Sequence, residues 1–209
     1  YKRQPFCFWL GTSEPHRAYE RGAGKRTGKD EANVIVPGIF PDNFIVRNDI
    51  LDYFVEVEYF DKMVVRAIDS LEKLGQLDNT IVVVTSDHGM PFPRAKASLY
   101  DAGTHVPLAI RWPKGIRKPG RVSQALVNLS DLGPTFLQAA GISVPKMMTG
   151  KGLADIFKDK TKIVRESAFI AMERHAGCRE GGKGYPCRAI RTKDYPVSYT
   201  HLTLPTIVS

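Results

Sequence analysis

Residues 80–89, TIVVVTSDHG, limit what this chain can fold into more than any other stretch. Ile81, Val82, Val83, Val84 and Thr85 are all β-branched, stiff at χ1 and suited to a pleated surface. The run is short and apolar on both faces, which predicts a strand over 81–85 lying inside a sheet. It stops abruptly on Asp87, His88 and Gly89. A turn needs only the glycine, because Asp and Gly are ordinary turn formers. The adjoining carboxylate and imidazole are also hard or borderline metal ligands, and a strand terminus holds such donors rigidly. Both readings, plain turn and metal ligands, are open at this point.

The rest of the chain alternates in character. Residues 5–11, PFCFWLG, read as a fully buried strand that leads into the loop TSEPHR. Residues 18–47 are rich in Gly, Lys, Arg, Asp and Pro and read as an irregular connector. A long helix is predicted from about 49 to 74, capped by Asn48 or Asp49 and closed by Gly75. Phe54, Val57, Val64, Ala67, Leu71 and Leu74 recur at three- and four-residue steps, which marks one buried stripe. Further strands are predicted at 107–112, just ahead of 131, in ESAFIAMERH and in CRAIRTKDY, with a helix over 131–140 and a small turn or helix in GKGLADIF.

Strands alternating with helices predict an α/β fold, a mostly parallel sheet sandwiched between helices. Ligands of such sheets sit beyond the carboxyl ends of the strands. Three predicted strands end on groups able to do chemistry: His16 with Arg17, Asp87 with His88, and Arg174 with His175. After Asp87 and His88, two prolines stiffen a loop carrying Arg94 and Lys96, cations able to face an oxyanion such as sulfate or phosphate.

The net charge of +8 admits a polyanionic partner, yet the basic residues are scattered, with mild clusters at 21–29, 111–121 and 174–193. No zinc finger, RNA-recognition signature or basic zipper is present, so no nucleic-acid partner is expected. No stretch reaches the roughly 20 apolar residues of a spanning helix. The three cysteines form no CxxC, which argues against a zinc or thioredoxin-type centre. Cys178 and Cys187 flank a glycine-rich loop and are either two thiols or a pair formed in an oxidising compartment. Cys7 reads as a small buried apolar residue.

Taken together, TIVVVTSDHGMPFPRAKASLYDAGTHVPLAIRWP, GTSEPHR, VNLSDLGPTFLQAAGI and ERHAGCREGGKGYPCRAIRT resemble the type I sulfatases of the alkaline phosphatase superfamily, most of all the heparan N-sulfatase group. The likeness covers most of residues 5–195. It implies a formylglycine-dependent hydrolase that removes sulfate from an N- or O-sulfated sugar of a glycan such as heparan sulfate, working outside the cytoplasm as a periplasmic or secreted enzyme.

By this resemblance Asp87 ligates the active-site calcium, and His88 takes the adjacent ligand position, where most sulfatases carry Asn. Lys96 binds the sulfate and bridging oxygen, and His16 protonates the leaving group. Arg94, Arg174 and His175 contact an acidic sugar.

An imidazole at 88 is also familiar from phosphonate and phosphodiester hydrolases of the same superfamily, which is the main alternative; a non-catalytic polyanion-binding domain is the other. By the same resemblance the residue that yields formylglycine is expected upstream of this chain, and an early Asp-Asp pair does not occur in the sequence. The chain is therefore expected to be a fragment lacking its N-terminal part and inactive alone. Residues 1–145 would belong to the catalytic α/β domain and 146–196 to the start of a C-terminal subdomain. Residues 197–209 resemble translated sequencing adapter and are expected to be a non-native tail.

Overall fold

The computed structural model describes residues 4–158, 163–174, 180–184 and 186–199, the last four as backbone only. The chain folds as two units, Tyr1–Leu71 and Glu72–Ser209.

The first unit is organised by its long helix. Residues 5–11 form no strand, contrary to the expectation from their apolar run. Phe8 is 75% exposed and Trp9 87%, and Cys7 is exposed as well. A buried strand needs a neighbour for its N–H and C=O groups, and no strand pairs with this segment among the described residues. The connector that follows is better ordered than its composition suggests. It holds a short helix, α1 (Ala23–Arg26), and a 3₁₀ turn at Glu31–Asn33 capped by the Asp30 side chain.

Helix α2 (Phe44–Lys73) starts well before 49, because Asn43 accepts from the backbone N–H of Ile45 and Val46, both at 3.0 Å. Asp49 is thus not a cap. It lies inside the helix and receives both guanidinium nitrogens of Arg17 at 3.0 and 2.8 Å, with the Tyr19 hydroxyl at 3.2 Å. One turn on, buried Asp52 accepts the N–H groups of Gly22 and Gly24 at 2.7 and 2.8 Å. Gly24 is required there, since a Cβ would stand 2.4 Å from that of Leu51. On the same half of the helix Arg47 pairs with Asp42 and donates to the carbonyls of Glu31 and Val34. Only Ile50, Leu51 and Asp52 of α2 are buried. The stripe expected from Phe54 to Leu74 is half-buried at best, and Leu74 is exposed. Gly75 ends the helix in the left-handed region (φ 64°), its N–H bonded to the Glu72 carbonyl.

The second unit contains two sheets. Strand β1 (Val82–Thr85) pairs antiparallel with β2 (Leu108–Arg111), Val83 opposite Ile110. Strands β3 (Ser167–Met172), β4 (Cys187–Thr192) and β5 (Pro196–Tyr199) form an antiparallel sheet in that order. Helices and strands alternate as expected of an α/β chain, and the strand pairings among the described residues are antiparallel. The reason lies in the connections: a parallel pair needs a long crossover helix, whereas β1 and β2 are joined by a loop whose only helix is the single turn α3 (Asp101–Thr104). Residues 197–199, set apart from the fold on sequence grounds, lie within β5.

Helix α4 (Leu132–Ala139) follows a capping box made by Asn128 and Asp131, and this box replaces the strand expected ahead of 131. Helix α5 (Ala154–Lys158) buries Ile156 and Phe157 with Leu153 against Trp112, Ile116 and Val127. Trp112 and Phe157 meet edge to face at 5.7 Å, a favourable aromatic geometry. Arg121 donates to the carbonyls of Ile156 and Phe157 and thereby caps α5.

Candidate functional site

Strand β1 delivers its C-terminal end into a loop, 86–105, that is closed on itself. At its root, the Thr85 hydroxyl donates to the Pro107 carbonyl at 2.8 Å. The Gly89 N–H donates to the Gly103 carbonyl at 3.0 Å, joining the loop's two ends. This approach explains both glycines. A Cβ on Gly89 would lie 1.8 Å from the Ala102 oxygen, and one on Gly103 would lie 2.3 Å from the Ala95 oxygen. Phe92, Ala95 and Leu99 of the loop are buried.

Asp87 and His88 stand together where β1 ends. The Asp87 side chain is 87% exposed and that of His88 35%. The Ser86 hydroxyl bonds to the His88 carbonyl at 2.7 Å and fixes the turn. His88 Nδ1 lies 2.7 Å from the Gly89 carbonyl oxygen. A carbonyl can only accept, so Nδ1 carries the hydrogen, and Nε2 of the neutral ring presents its lone pair. That nitrogen is 3.8 Å from Asp87 Oδ2. Two ligands at right angles on an ion with bonds near 2.4 Å would be about 3.4 Å apart, so the pair is spaced like adjacent ligands. A calcium ion takes six to eight donors. Among the described residues no group of three or more His, Cys, Asp or Glu side chains is placed to hold a metal. The donor types and spacing of Asp87 and His88 fit two places of such a shell and no more.

Lys96 and Arg94 lie on the same loop. Arg94 (φ 61°) and Ala97 (φ 55°) occupy the left-handed region, a costly conformation for residues with a Cβ, and they flank the turn that carries Lys96. The N–H of Lys96 donates to the Phe92 carbonyl at 3.0 Å, and the Ser98 hydroxyl donates to that of Arg94 at 2.8 Å. Lys96 is half-buried, while Arg94 is exposed.

The other candidates are elsewhere. His16 belongs to the first unit, on an exposed turn where its Nδ1 donates to the Arg17 carbonyl at 2.8 Å. Arg174 follows β3, is exposed and donates to the Gly182 carbonyl at 3.1 Å. His175 and Cys178 lie outside the described residues, and so does the question of a Cys178–Cys187 pair. The structure thus groups Asp87, His88, Arg94 and Lys96 on one loop.

Two interactions around this unit carry no signal in sequence spacing. Asp101, at the start of α3, pairs with Arg191 of β4, and Asp131 pairs with Arg165.

The chain matches the sulfatase family over residues 2–142 and the C-terminal region of N-sulphoglucosamine sulphohydrolase over residues 89–202. The chain belongs to the sulfatase family. Human N-sulphoglucosamine sulphohydrolase is 36% identical over 92% of this sulfatase chain and 43% of its own length. An N-acetylglucosamine-6-O-sulfatase of Bacteroides thetaiotaomicron is 38% identical over 61% of the chain and 26% of its own length. A solved structure described as a complex with its substrate, D-glucosamine-2-N,6-O-disulfate, superposes with a TM-score of 0.62 at 29% identity. That match covers 75% of this chain and 33% of the other. The sulfatase chain thus spans less than half the length of these relatives, and it shares their α/β fold. No described helix is long and apolar enough to cross a membrane.

Proposed function

We propose that this chain is the part of a glycan sulfatase that holds the metal edge and the sulfate-binding loop, acting on a sulfated amino sugar. The observation that carries the reading is one loop, 86–105, that carries Asp87, His88 and Lys96 and is closed by glycine-dependent backbone contacts. Support for the substrate class comes from relatives named for N-sulfoglucosamine and for 6-O-sulfated N-acetylglucosamine, and from the neighbour bound to a sugar carrying both groups.

Asp87 and the Nε2 lone pair of His88 would hold a divalent cation, calcium by the family resemblance. When bound, such an ion neutralises charge on the sulfuryl oxygens. Lys96 adds a fixed cation on the same loop, an electrostatic contribution of the kind that is usually large in such reactions. His16 would protonate the departing oxygen or nitrogen, the role the family resemblance gives it. Arg94 and Arg174 would meet acidic groups of the sugar. The nucleophile and the remaining metal donors would come from residues that this sequence does not contain.

The second reading, a phosphonate or phosphodiester hydrolase, is favoured by the imidazole at 88. One assay separates the two. The intact enzyme carrying this chain is given N-sulfoglucosamine, glucosamine 6-sulfate and an aryl phosphonate monoester, and released sulfate and phenol are measured. Sulfate release from either sugar at rates well above phosphonate cleavage is expected. Phosphonate cleavage alone would transfer the site to the second reading.

A further inference from the structure

We infer that Arg191, with Asp101, is a positioning pair that sets the sulfate-binding loop on the β3–β4 sheet. The inference rests on the sulfatase reading of Lys96.

The geometry begins with strand alternation. Cys187, Ala189 and Arg191 are two residues apart on β4 and share one face. The register sets Met172 opposite Cys187 and Ile170 opposite Ala189, so β3 contributes to the same face. Leu99 of the loop is buried in this surface with Cys187 and Ala189, and Ile170 and Met172 pack around it. Two residues beyond Leu99, Asp101 meets the Arg191 guanidinium, 90 positions away in sequence. A second Asp101 oxygen faces His105 Nδ1 at 3.4 Å. The loop is therefore held at successive points on one face, an apolar contact and then an ion pair.

An ion pair as exposed as this one, with Asp101 45% and Arg191 27% exposed, does little for stability in isolation. What it fixes is direction. The apolar contact of Leu99 is non-directional, whereas the Asp101–Arg191 contact sets the azimuth of the loop five residues after Lys96. A misplacement of about 1 Å in a charge-stabilising group costs on the order of a hundredfold in rate.

The test has two arms. In this chain, amide hydrogen exchange over 89–104 is compared between wild type, Arg191→Gln, Arg191→Lys and the control Asp78→Asn, which breaks the Arg111 ion pair elsewhere in the same unit. Exchange should quicken at least tenfold in Arg191→Gln alone. In the intact enzyme, Arg191→Gln should lower kcat for a sulfated sugar tenfold or more with KM within about threefold and an unchanged melting temperature. Arg191→Lys should recover most of that loss. Wild-type exchange in Arg191→Gln, or a fall in melting temperature with kcat intact, would overturn the inference. An intact enzyme that releases no sulfate defeats the sulfatase reading instead, while the exchange arm still decides whether the pair holds the loop.

Discussion

Both carboxylate oxygens of Asp131, a residue with no exposed surface, accept from the guanidinium of Arg165. The same two oxygens take the N–H groups of Lys151 and Asn128 at 2.7 and 2.8 Å. One side chain thus joins the start of α4, the segment before α5 and the approach to β3. Removing it strands a cation that is only 11% exposed, together with two backbone donors. Asp131→Ala should cost about 3–5 kcal/mol, the usual penalty for breaking a buried pair from one side. Urea denaturation of the two proteins at neutral pH measures it. A loss under about 1 kcal/mol would mean that water reaches this site.

The same pair gives a sign for the acid response. Burial pushes the Asp131 carboxyl up, but Arg165 and the two backbone N–H groups outweigh it and hold the group below the usual carboxylate range. A carboxyl that is depressed in the folded state contributes stability at pH values above its unfolded value, about 3.9. That contribution fades as pH falls through the folded value. Wild-type stability should therefore decline between pH 5 and pH 3 more steeply than that of Asp131→Asn. Parallel curves would contradict the assignment.

Gly89→Ala tests the closure of loop 86–105. No side chain can yield at this contact, because the methyl group would meet the backbone oxygen of Ala102. The backbone must shift, and Asp87 and His88 beside it would shift as well. In the intact enzyme kcat/KM should fall about a hundredfold, with a smaller change in melting temperature. Near-normal turnover would show that the Gly89–Gly103 contact is dispensable.

Lys96→Gln keeps the length of the side chain and removes its charge. If Lys96 meets the transferred group, kcat for sulfate release should fall on the order of a hundred- to a thousandfold, as when one oxyanion donor is lost. Circular dichroism should not change. An effect confined to KM would place Lys96 at the sugar rather than at the sulfur.

Asn43→Ala addresses the helix that supports the first unit. The side chain closes two otherwise orphaned N–H groups, so its loss should cost about 1 kcal/mol. Asn43→Asp should restore stability, since aspartate caps equally well. The comparison needs only thermal melts.

How much of this was legible in the sequence depended on how local each cause was. The β-branched run 81–85 and Gly75 declared themselves, because strand preference and the left-handed cap are properties of a few adjacent residues. The strand segments around 169 and 189 followed for the same reason. Phe6, Phe8 and Trp9 misled, since burial belongs to a partner surface and hydrophobicity alone does not supply one. Asp49 was taken for a cap because it precedes the apolar periodicity, yet Asn43 lies at the point where backbone donors run out. Antiparallel pairing was hidden because strand–helix alternation does not report how short the helices are. Of the candidate site, Asp87 and His88 could be read as residue types at a strand end, and Lys96 as a cation on the loop that follows. Asp101–Arg191 and Asp131–Arg165 could not, because opposite charges 90 or 34 positions apart are two among many.

The antiparallel hairpin of β1 and β2 has a consequence for how this site forms and changes. The β1–β2 pairing, the Thr85–Pro107 contact and the Gly89–Gly103 contact all fall within 82–111, so their contact order is low and they can form early and quickly. Among the described residues, the links to more distant sequence include Leu99 and Asp101, which reach β4, Arg111, which reaches the Asp78 turn, and Ile110, which packs on Leu153, Ile156 and Phe157. The segment therefore behaves as a cassette with defined plugs. Exchanging it between relatives would ask that these sockets be matched, so the candidate site can be refitted while the surrounding scaffold is left alone.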